Sequence, residues 1–315
     1  MSSVSALVEG VVHGDARAIA RAISRVEDGH SDAPALLAAL FPHAGGALVI
    51  GVTGPPGAGK STLVDRLAAH YRAQRKTVGI VAVDPTSPYS GGAILGDRIR
   101  MQAHATDPGV FIRSMATRGH LGGLAAATGQ VLTILAAAAR DVILVETVGV
   151  GQDEVEIVST ADVCLVVLVP GLGDEVQALK AGIMEIADLF VVNKADREGV
   201  ERVVAEIQSM LSMASHDGLR PEIVQTVATT DRGTADLARA VAAFLAGAER
   251  TGALARKRRS HLEQQFRGAL QRLLLERIAE KGLPAAEAER VVDRLAARET
   301  DPFSAAAEVL KKMGW

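Results

Sequence analysis

A glycine-rich segment at residues 54–61 has the residue types and spacing of a phosphate-binding loop. It fits the pattern G-x-x-x-x-G-K-S and lies between an apolar run and an amphipathic helical pattern, which is the context that the motif requires. Glycines allow backbone N–H groups to turn inward around phosphate oxygens at the positive end of a helix. We therefore predict that a nucleoside triphosphate binds here, in contact with Gly54, Pro55, Pro56, Gly57, Ala58, Gly59, Lys60, Ser61 and Thr62.

Two side chains of this segment have chemistry that an ordinary turn does not need. Lys60 is expected to reach the β- and γ-phosphates, and Ser61 to place its hydroxyl on Mg²⁺. The alternative is a Gly/Pro turn that only joins a strand to a helix. Such a turn rarely needs a Lys-Ser pair at this position, so nucleotide binding is the favoured interpretation.

Three acidic residues downstream are candidates for the metal end of the site. Asp84 ends the second apolar run, and in an open α/β sheet the carboxyl ends of the strands face the ligand. Asp97 closes a glycine-rich segment that enters a helical pattern. Glu146 follows another buried strand pattern and precedes Gly149, an arrangement in which the acid meets Mg²⁺ or its waters and the glycine N–H senses the γ-phosphate. Asp84 could instead be an Asp-Pro turn residue and Asp97 a helix cap.

An N-K-x-D sequence indicates guanine as the base. Asn193, Lys194 and Asp196 come directly after an apolar strand pattern. The Asp196 carboxylate can accept two hydrogen bonds from the N1 and N2 edge of guanine, which adenine cannot offer. The Lys194 stem can cover the base plane, and Asn193 can tie loops together. The last predicted strand ends where a backbone N–H can meet the guanine O6, at Val227, Ala228 and Thr229. GTP and GDP are therefore the predicted ligands.

These residues must be positioned by alternating strands and helices. Apolar runs predict strands, and amphipathic patterns between them predict helices, which together imply a mainly parallel sheet buried on both faces. From Ala47 onward a first strand leads into the phosphate-binding loop, and the further predicted strands cover residues 77–83, 110–113, 141–145, 163–169, 189–192 and 223–227. The predicted helices cover residues 61–74, 124–139, 175–186 and 199–214. The fold class is thus an α/β P-loop NTPase. We divide the chain into a helical N-terminal extension (1–45), a nucleotide-binding domain (46–250) and a helical C-terminal segment (251–315).

Composition excludes several other classes of protein. The 315 residues carry 34 basic and 37 acidic side chains, a net charge of −3, which gives no general attraction to nucleic acid or membranes. The single cysteine, Cys164, lies in an apolar run and is predicted to be a buried strand residue rather than a reactive thiol. Acidic residues interrupt the N-terminal segment before any leader-like apolar core, and no apolar run reaches the ~18 residues of a membrane span. We expect a cytoplasmic protein.

The C-terminal segment opens with a basic run and continues with a leucine stripe. The run at residues 256–259 lacks the interleaved aromatic residues typical of RNA binding, so a solvated helix face is favoured over a nucleic-acid site. Leucines and one phenylalanine then recur at helical spacing, and such a stripe needs to be covered. The stripe consists of Leu262, Phe266, Leu270, Leu273 and Leu274.

Four motifs together resemble the MeaB/ArgK family, whose members are G-protein chaperones of adenosylcobalamin-dependent acyl-CoA mutases related to the human methylmalonic aciduria type A protein. They are D-P-T-S-P at 84–88, G-G-A-I-L-G-D at 91–97, E-T-V-G-V-G-Q at 146–152 and N-K-A-D at 193–196. The resemblance implies homodimerisation through the C-terminal arm. It also implies that four residues surround Mg²⁺, namely Ser61, Asp84, Asp97 and Glu146.

The same resemblance implies a third mobile loop, at residues 171–180, that responds to the partner mutase through Asp174, Glu175, Gln177 and Lys180. An ordinary strand-to-helix turn is the alternative for this segment. Val227 departs from the family pattern, because members often carry Ser there. Lys60, Asp97, Glu146 and Gly149 are the implied catalytic residues.

Three classes of function compete at this point. The favoured one is a GTP-hydrolysing chaperone that gates adenosylcobalamin loading of an acyl-CoA mutase and protects it. A nickel-insertion or secretion GTPase is the second, although the eight histidines are scattered and the seven methionines do not cluster. A metabolic kinase or transport ATPase is the third, and the N-K-A-D sequence argues against it.

Overall fold

The computed structural model of the chain describes residues 3–84, 104, 106–116, 123–147, 160–171, 186–213, 220–281 and 283–314. The chain divides into two compact units, residues 1–261 and residues 262–315. We describe each unit by itself. The larger one contains the phosphate-binding loop and the N-K-x-D sequence.

One parallel sheet of seven strands forms the centre of the larger unit, and the predicted α/β class is confirmed. The strands follow the order β3-β2-β4-β1-β5-β6-β7, and every neighbouring pair is parallel. Strands β4 and β5 are buried along their whole length, as expected for apolar runs covered on both faces. The strands are β1 (Leu48–Thr53), β2 (Val78–Asp84), β3 (Val110–Ala116), β4 (Val142–Thr147), β5 (Val163–Leu168), β6 (Leu189–Val192) and β7 (Glu222–Gln225).

Helices cover both faces of this sheet and build the smaller unit. In the larger unit they are α1 (Ser3–Val12), α2 (Ala16–Glu27), α3 (Ala33–Leu40), α4 (Lys60–Ala73), α5 (Gly123–Ala137), α6 (Val200–Met213) and α7 (Thr234–Arg250). Helix α8 (Ala253–Lys281) begins in the larger unit and ends in the smaller, which also holds α9 (Ala285–Ala296) and α10 (Pro302–Lys312). The predicted helix over residues 175–186 lies outside the described residues except for Ile186.

Most predicted strand bounds differ from the structure by one to three residues, and two of these differences fall at the site. Strand β4 continues to Thr147 and so includes Glu146, which pairs with Val52 of β1 on one side and Ala82 of β2 on the other. Strand β7 ends at Gln225, two residues earlier than predicted, because the chain then folds into a tight loop. An antiparallel bridge between Val227 and Arg232 closes that loop.

Alternate residues of the strands separate the core into layers on opposite faces of the sheet. Ile50 and Val52 of β1 pack with helices α4 and α7 in one apolar cluster. Ile143 and Val145 of β4 pack in a second cluster with α1, α2, α3 and α5, so the N-terminal helices cover part of the sheet. Phe190 of β6 belongs to a third cluster with α6. This arrangement leaves the carboxyl ends of the strands for the loops that carry the predicted site residues.

Cys164 is a buried residue of β5, as the sequence predicts. Burial raises the pKa of its thiol to about 12, and the neighbouring Asp188 carboxylate acts in the same direction against the opposing charge of Lys257. Since the thiolate is the nucleophilic form, this cysteine is not a catalytic nucleophile at neutral pH.

The basic run at the start of α8 does more than form a solvated face, because two of its four residues form ion pairs that the sequence did not predict. Lys257 Nζ donates to Asp188 Oδ2 at 2.6 Å and to the Asp162 carbonyl at 3.2 Å. Arg258 forms a bidentate ion pair with Asp162, in which Nε donates to Oδ1 at 2.7 Å and Nη2 donates to Oδ2 at 2.9 Å. Hydrogen bonding to Asp162 raises the pKa of the Arg258 guanidinium.

These ion pairs fix the first turns of α8 to the amino-terminal ends of the strands. Asp162 directly precedes β5, and its Oδ2 also accepts the Val49 N–H of β1 at 3.0 Å. Asp188 directly precedes β6, and its Oδ2 accepts the Cys164 N–H at 2.8 Å. The two carboxylates therefore link α8 to the amino-terminal ends of β5 and β6, whereas the phosphate-binding loop lies at the carboxyl end of β1.

In the smaller unit, ion pairs join α9 to α10. Arg294 Nη1 lies 2.9 Å from Glu308 Oε2, and Lys312 pairs with Glu287. Asp301 caps α10 by accepting the N–H groups of Phe303 and Ser304 at 2.9 and 3.0 Å. The predicted leucine stripe on α8 is exposed. None of the helices in the described part of the chain is long and apolar enough to cross a membrane.

The anchoring role of Arg258 gives a stability prediction. Arg258→Ala removes both hydrogen bonds of the bidentate pair and leaves the Asp162 carboxylate buried. We expect the free energy of unfolding to fall by about 1–2 kcal/mol, and this value is lower than for a buried pair because the arginine is half exposed. Urea unfolding at neutral pH measures the change. Arg259→Ala, an exposed neighbour in the same run, is the matched control. An equal loss in both variants would contradict the anchor.

Candidate functional site

The phosphate-binding loop follows β1 at the centre of the sheet. Strand β1 lies between β4 and β5, and the strand order reverses at this point because β2 and β3 lie to one side and β5, β6 and β7 to the other. In open parallel sheets, ligands bind beyond the carboxyl ends of the strands at such a position. Helix α4 begins at Lys60, so its positive end faces the loop.

Two glycines of the loop occupy positions where a side chain does not fit. A Cβ at Gly54, which has φ of +143°, would lie 2.1 Å from the carbonyl oxygen of Val167 in β5. A Cβ at Gly59, which has φ of +86°, would lie 2.5 Å from Asn193 Nδ2. The first contact is with backbone and cannot be relieved by a side-chain rotation. Both glycines are therefore required for the loop to approach its neighbours closely.

The Lys60 side chain is buried, and its ammonium group is hydrogen-bonded to the phosphate-binding loop. Its Nζ donates to the carbonyl oxygens of Gly54 at 2.7 Å and Pro55 at 3.0 Å. These two acceptors offset part of the cost of burying the charge. They also fix a positive charge next to the backbone that would surround a phosphate group.

Ser61 and Glu146 form the acidic end of the site. Ser61 Oγ donates to Glu146 Oε1 at 2.5 Å, and the Glu146 residue is only 3 % exposed. Next to it, Thr147 Oγ1 of β4 donates to Thr53 Oγ1 of β1 at 3.1 Å, which joins the two strand ends. Asp84 is the last residue of β2. The end of β4 and the first turn of α4 thus bring a carboxylate and a hydroxyl into contact.

Asn193 joins three segments of the site through one side chain, which is 2 % exposed. Its Nδ2 donates to the carbonyl of Ala58 in the phosphate-binding loop at 2.8 Å. Its Oδ1 accepts the Thr226 hydroxyl and the Ala228 N–H, both at 3.1 Å. The amide therefore connects the loops that follow β1, β6 and β7.

Lys194 and Asp196 lie beside this junction. Lys194 has a left-handed backbone, with φ of +56°, and its Nζ donates to the Gly57 carbonyl at 2.7 Å. The Lys194 side chain therefore reaches from the N-K-x-D loop to the phosphate-binding loop. Asp196 is exposed, as a side chain that receives a base from solvent must be. Ala195, between them, donates its N–H to the Thr226 carbonyl at 3.0 Å.

The loop after β7 is closed on itself and held from two sides. The Val227 N–H donates to the Arg232 carbonyl at 2.8 Å, and residues Ala228–Thr230 form a short 3-10 turn. Val227 and Ala228 are buried, while Thr229 is exposed. Arg66 Nε of α4 donates to the Ala228 carbonyl at 3.1 Å, and Arg232 Nη2 donates to the Ala195 carbonyl at 3.1 Å.

The structure brings together most of the residues that the sequence singles out. In the phosphate-binding loop, Pro55 and Ala58 are buried, Pro56 and Gly57 are exposed, and Thr62 is half-buried. Six predicted residues lie outside the described part of the chain, namely Asp97, Gly149, Asp174, Glu175, Gln177 and Lys180. Sequence reasoning missed the hydroxyl of Thr226 and the guanidinium groups of Arg66 and Arg232. No local spacing signals these three, because their partners are distant in the chain.

Comparison with known proteins agrees with this geometry. The family model described as methylmalonyl-CoA mutase-associated GTPase MeaB matches residues 16–282. A Pyrococcus abyssi protein with the provisional name GTPase is 47 % identical over 314 residues, which cover 98 % of this chain and 97 % of that protein. The GTPase ArgK of Escherichia coli is 35 % identical over 263 residues, or 81 % and 80 % of the two chains.

Two further similarities are more distant. The mitochondrial methylmalonic aciduria type A homolog of Mus musculus is 32 % identical over 292 residues, which cover 87 % of this chain and 70 % of that protein. A crystal structure described as LAO/AO transport system kinase superposes with a TM-score of 0.72 at 24 % identity, covering 100 % of this chain and 99 % of that one. At this identity the superposition shows the shared fold.

The Asn193 junction gives a graded prediction. Asn193→Ala breaks three hydrogen bonds and leaves buried backbone groups without their partner, so the free energy of unfolding should fall by about 2–3 kcal/mol and nucleotide affinity by at least about tenfold. Thr226→Val removes one of the three bonds and should cost about 1 kcal/mol. Urea unfolding and titration with a fluorescent guanine nucleotide measure both. Equal losses in the two variants would show that Asn193 is not the central contact.

Proposed function

Because this chain belongs to the MeaB family of methylmalonyl-CoA mutase-associated GTPases and is itself a P-loop GTPase, we propose that it gates adenosylcobalamin loading of an acyl-CoA mutase and protects that enzyme. The observation that carries this proposal is the family match over residues 16–282. The name of the mouse relative associates that protein with methylmalonic aciduria, which supports the same metabolic context.

The proposed nucleotide contacts follow from the geometry of the loop. Backbone N–H groups of residues 57–62 surround the phosphates at the positive end of α4. Lys60, held by two loop carbonyls, directs its charge to the β- and γ-phosphates. The Asp196 carboxylate accepts the N1 and N2 hydrogens of guanine, and Lys194 covers the base plane. The loop at Val227, Ala228 and Thr229 faces the guanine O6.

The residues at the acidic end fit Mg²⁺. Hydroxyl and carboxylate oxygens are ligands that Mg²⁺ prefers, and it is usually held by one or two carboxylates together with substrate phosphates and water. Within the described residues, no group of three His, Cys, Asp or Glu side chains could hold a metal by itself. Ser61 and Glu146, together with Asp84 and Asp97, would hold the ion. When bound, Mg²⁺ neutralises charge on the β- and γ-phosphate oxygens.

The proposed switch lies in three segments that, apart from Gly171, are outside the described residues. Gly149 senses the γ-phosphate, Asp97 follows a glycine-rich loop, and residues 171–180 respond to the mutase through Asp174, Glu175, Gln177 and Lys180. If the mutase prefers one nucleotide state of this protein, its binding changes the affinity for the nucleotide. The nucleotide must then change the affinity for the mutase by the same factor. A coupling of about 1–3 kcal/mol is ordinary for such systems.

Measurement of GTP hydrolysis with and without an adenosylcobalamin-dependent methylmalonyl-CoA mutase tests this function. We expect the mutase to accelerate hydrolysis by ordering these segments. Lys180→Ala should reduce the acceleration and leave basal hydrolysis nearly unchanged, because Lys180 lies outside the motifs that hold the nucleotide. Lys311→Ala, at an exposed position of α10, is the control.

The two negative outcomes have different meanings. If Lys180→Ala is stimulated as fully as the wild type, the segment at 171–180 is only a turn. If the mutase fails to stimulate the wild type, the chaperone role is wrong, while the GTPase assignment is unaffected.

We also propose that the protein is a homodimer that covers the exposed stripe of α8. The stripe residues Leu262, Phe266, Leu270 and Leu273 recur at intervals of three and four, so they share one helix face. An exposed apolar face of this kind marks a protein–protein contact. A second copy of the same helix offers a surface of the same chemistry, which suits a two-fold interface.

Charge placed on the stripe should prevent this assembly. Phe266→Glu with Leu273→Glu puts two carboxylates on the apolar face, seven residues apart, and light scattering should then give the monomer mass. Gln264→Glu with Gln271→Glu has the same spacing on the opposite face and should remain dimeric. A monomeric wild type, or a dimer that survives the first pair of changes, would refute the proposed interface.

A further inference from the structure

Arg66 connects the helix that follows the phosphate-binding loop to the loop proposed to face the base. Its Nε donates to the Ala228 carbonyl at 3.1 Å, and the side chain is half-buried. Lys60 and Ser61 open the same helix, six and five residues earlier. At 1.5 Å per residue, α4 therefore spans about 9 Å from its phosphate end to the turn that holds the base loop.

The Ala228 carbonyl is an effective point of control because of peptide geometry. The carbonyl of Ala228 and the N–H of Thr229 belong to one planar peptide group, so a side chain that fixes the oxygen also fixes the direction of that N–H. The preceding peptide is held separately, because the Ala228 N–H donates to Asn193 Oδ1 at 3.1 Å. Two side chains thus set two consecutive peptide planes of the base loop.

The hydrogen bond from Arg66 to the Ala228 carbonyl is well suited to fixing the position of the loop. A guanidinium is planar and always charged, and hydrogen bonds from a charged donor are stronger than neutral ones. The loop is also constrained at its far end, since a Cβ on Gly233 would lie 2.2 Å from the Gln225 carbonyl. Within the loop the Ala228 carbonyl also accepts the Asp231 N–H at 3.4 Å, so the Arg66 bond at 3.1 Å is the shorter of its two hydrogen bonds and the one that comes from outside the loop.

We propose that Arg66 is a positioning residue for guanine, which orients the Ala228–Thr229 peptide toward the O6 edge of the base. The inference rests on the proposed base site at Asp196 and Val227–Thr229. It assigns the O6 edge to Arg66 and leaves the N1 and N2 edge to Asp196. Affinity for any 6-oxopurine nucleotide then depends on Arg66, whereas preference among such purines depends on Asp196.

Three triphosphates separate these contributions. GTP and ITP share the 6-oxo group, but ITP lacks the 2-amino group, and XTP has an oxygen at that position. Arg66→Met keeps the aliphatic stem and removes the donor. We expect the Kd values of GTP and ITP to rise by the same factor, about three- to thirtyfold, with an unchanged ratio between them. In steady-state hydrolysis the KM should rise similarly, with kcat within about twofold of the wild type.

Controls separate positioning from a structural role. Arg66→Lys keeps a charged donor and should restore part of the affinity, whereas Arg202→Met removes an exposed arginine of α6 and should bind as the wild type does. Inorganic tripolyphosphate, which has no base, should bind Arg66→Met and the wild type equally. Calorimetry provides all these values, and a thermal scan checks that the folded state is intact.

The outcomes distinguish the inference from the function on which it rests. Wild-type affinity for GTP in Arg66→Met overturns the inference, as does an equal loss of tripolyphosphate affinity or a lowered melting temperature without rescue by Arg66→Lys. Asp196→Asn should shift preference from GTP toward XTP. If it does not, or if the wild type binds ATP as tightly as GTP, the base site itself is misassigned. The proposed guanine contacts and the positioning role of Arg66 are then both wrong.

Discussion

The carboxamide of Asn193 is the contact on which the geometry of the nucleotide site depends. Loops that follow different strands share no hydrogen-bond ladder beyond the sheet, so their relative positions must be set by side chains. Asn193 does so with a donor on Ala58 and an acceptor for Thr226 and Ala228. Because the amide is buried, each bond forms in a low-dielectric surrounding where a missing partner is costly. Gly59 is without a Cβ for the same reason, since the amide nitrogen occupies that space.

The two ends of the central strands serve different purposes. At the carboxyl ends, β1 and β4 deliver the phosphate-binding loop and Glu146, and β6 delivers Asn193. At the amino ends, Asp162 and Asp188 receive the basic residues that open α8. Strand β5 takes part at both ends, because Asp162 precedes it and its Val167 carbonyl lies against Gly54. The central strands of the sheet therefore connect the nucleotide loops at one end to the first turns of α8 at the other.

The parts of this structure that could be predicted are those where a local sequence pattern is typical of only one local structure. The phosphate-binding loop, the buried strands and the N-K-x-D position all follow from residue type and spacing. Contacts between distant segments were not predictable, because neither partner signals the other. Arg258 lies 96 residues from Asp162, and Arg66 lies 162 residues from Ala228. The ion pairs of the basic run of α8 were missed for this reason, since its charge pattern is the same for a solvated face and for a helix start anchored by ion pairs.

The burial of Cys164 has a practical consequence for spectroscopy. The chain contains no other cysteine, and at neutral pH almost none of this thiol is in the thiolate form that reacts with maleimides. Cysteines introduced at two exposed positions would therefore be the ones that accept fluorophores or spin labels under native conditions. Distances between labelled loops could then be followed through the nucleotide cycle by resonance energy transfer without first replacing a native residue in β5.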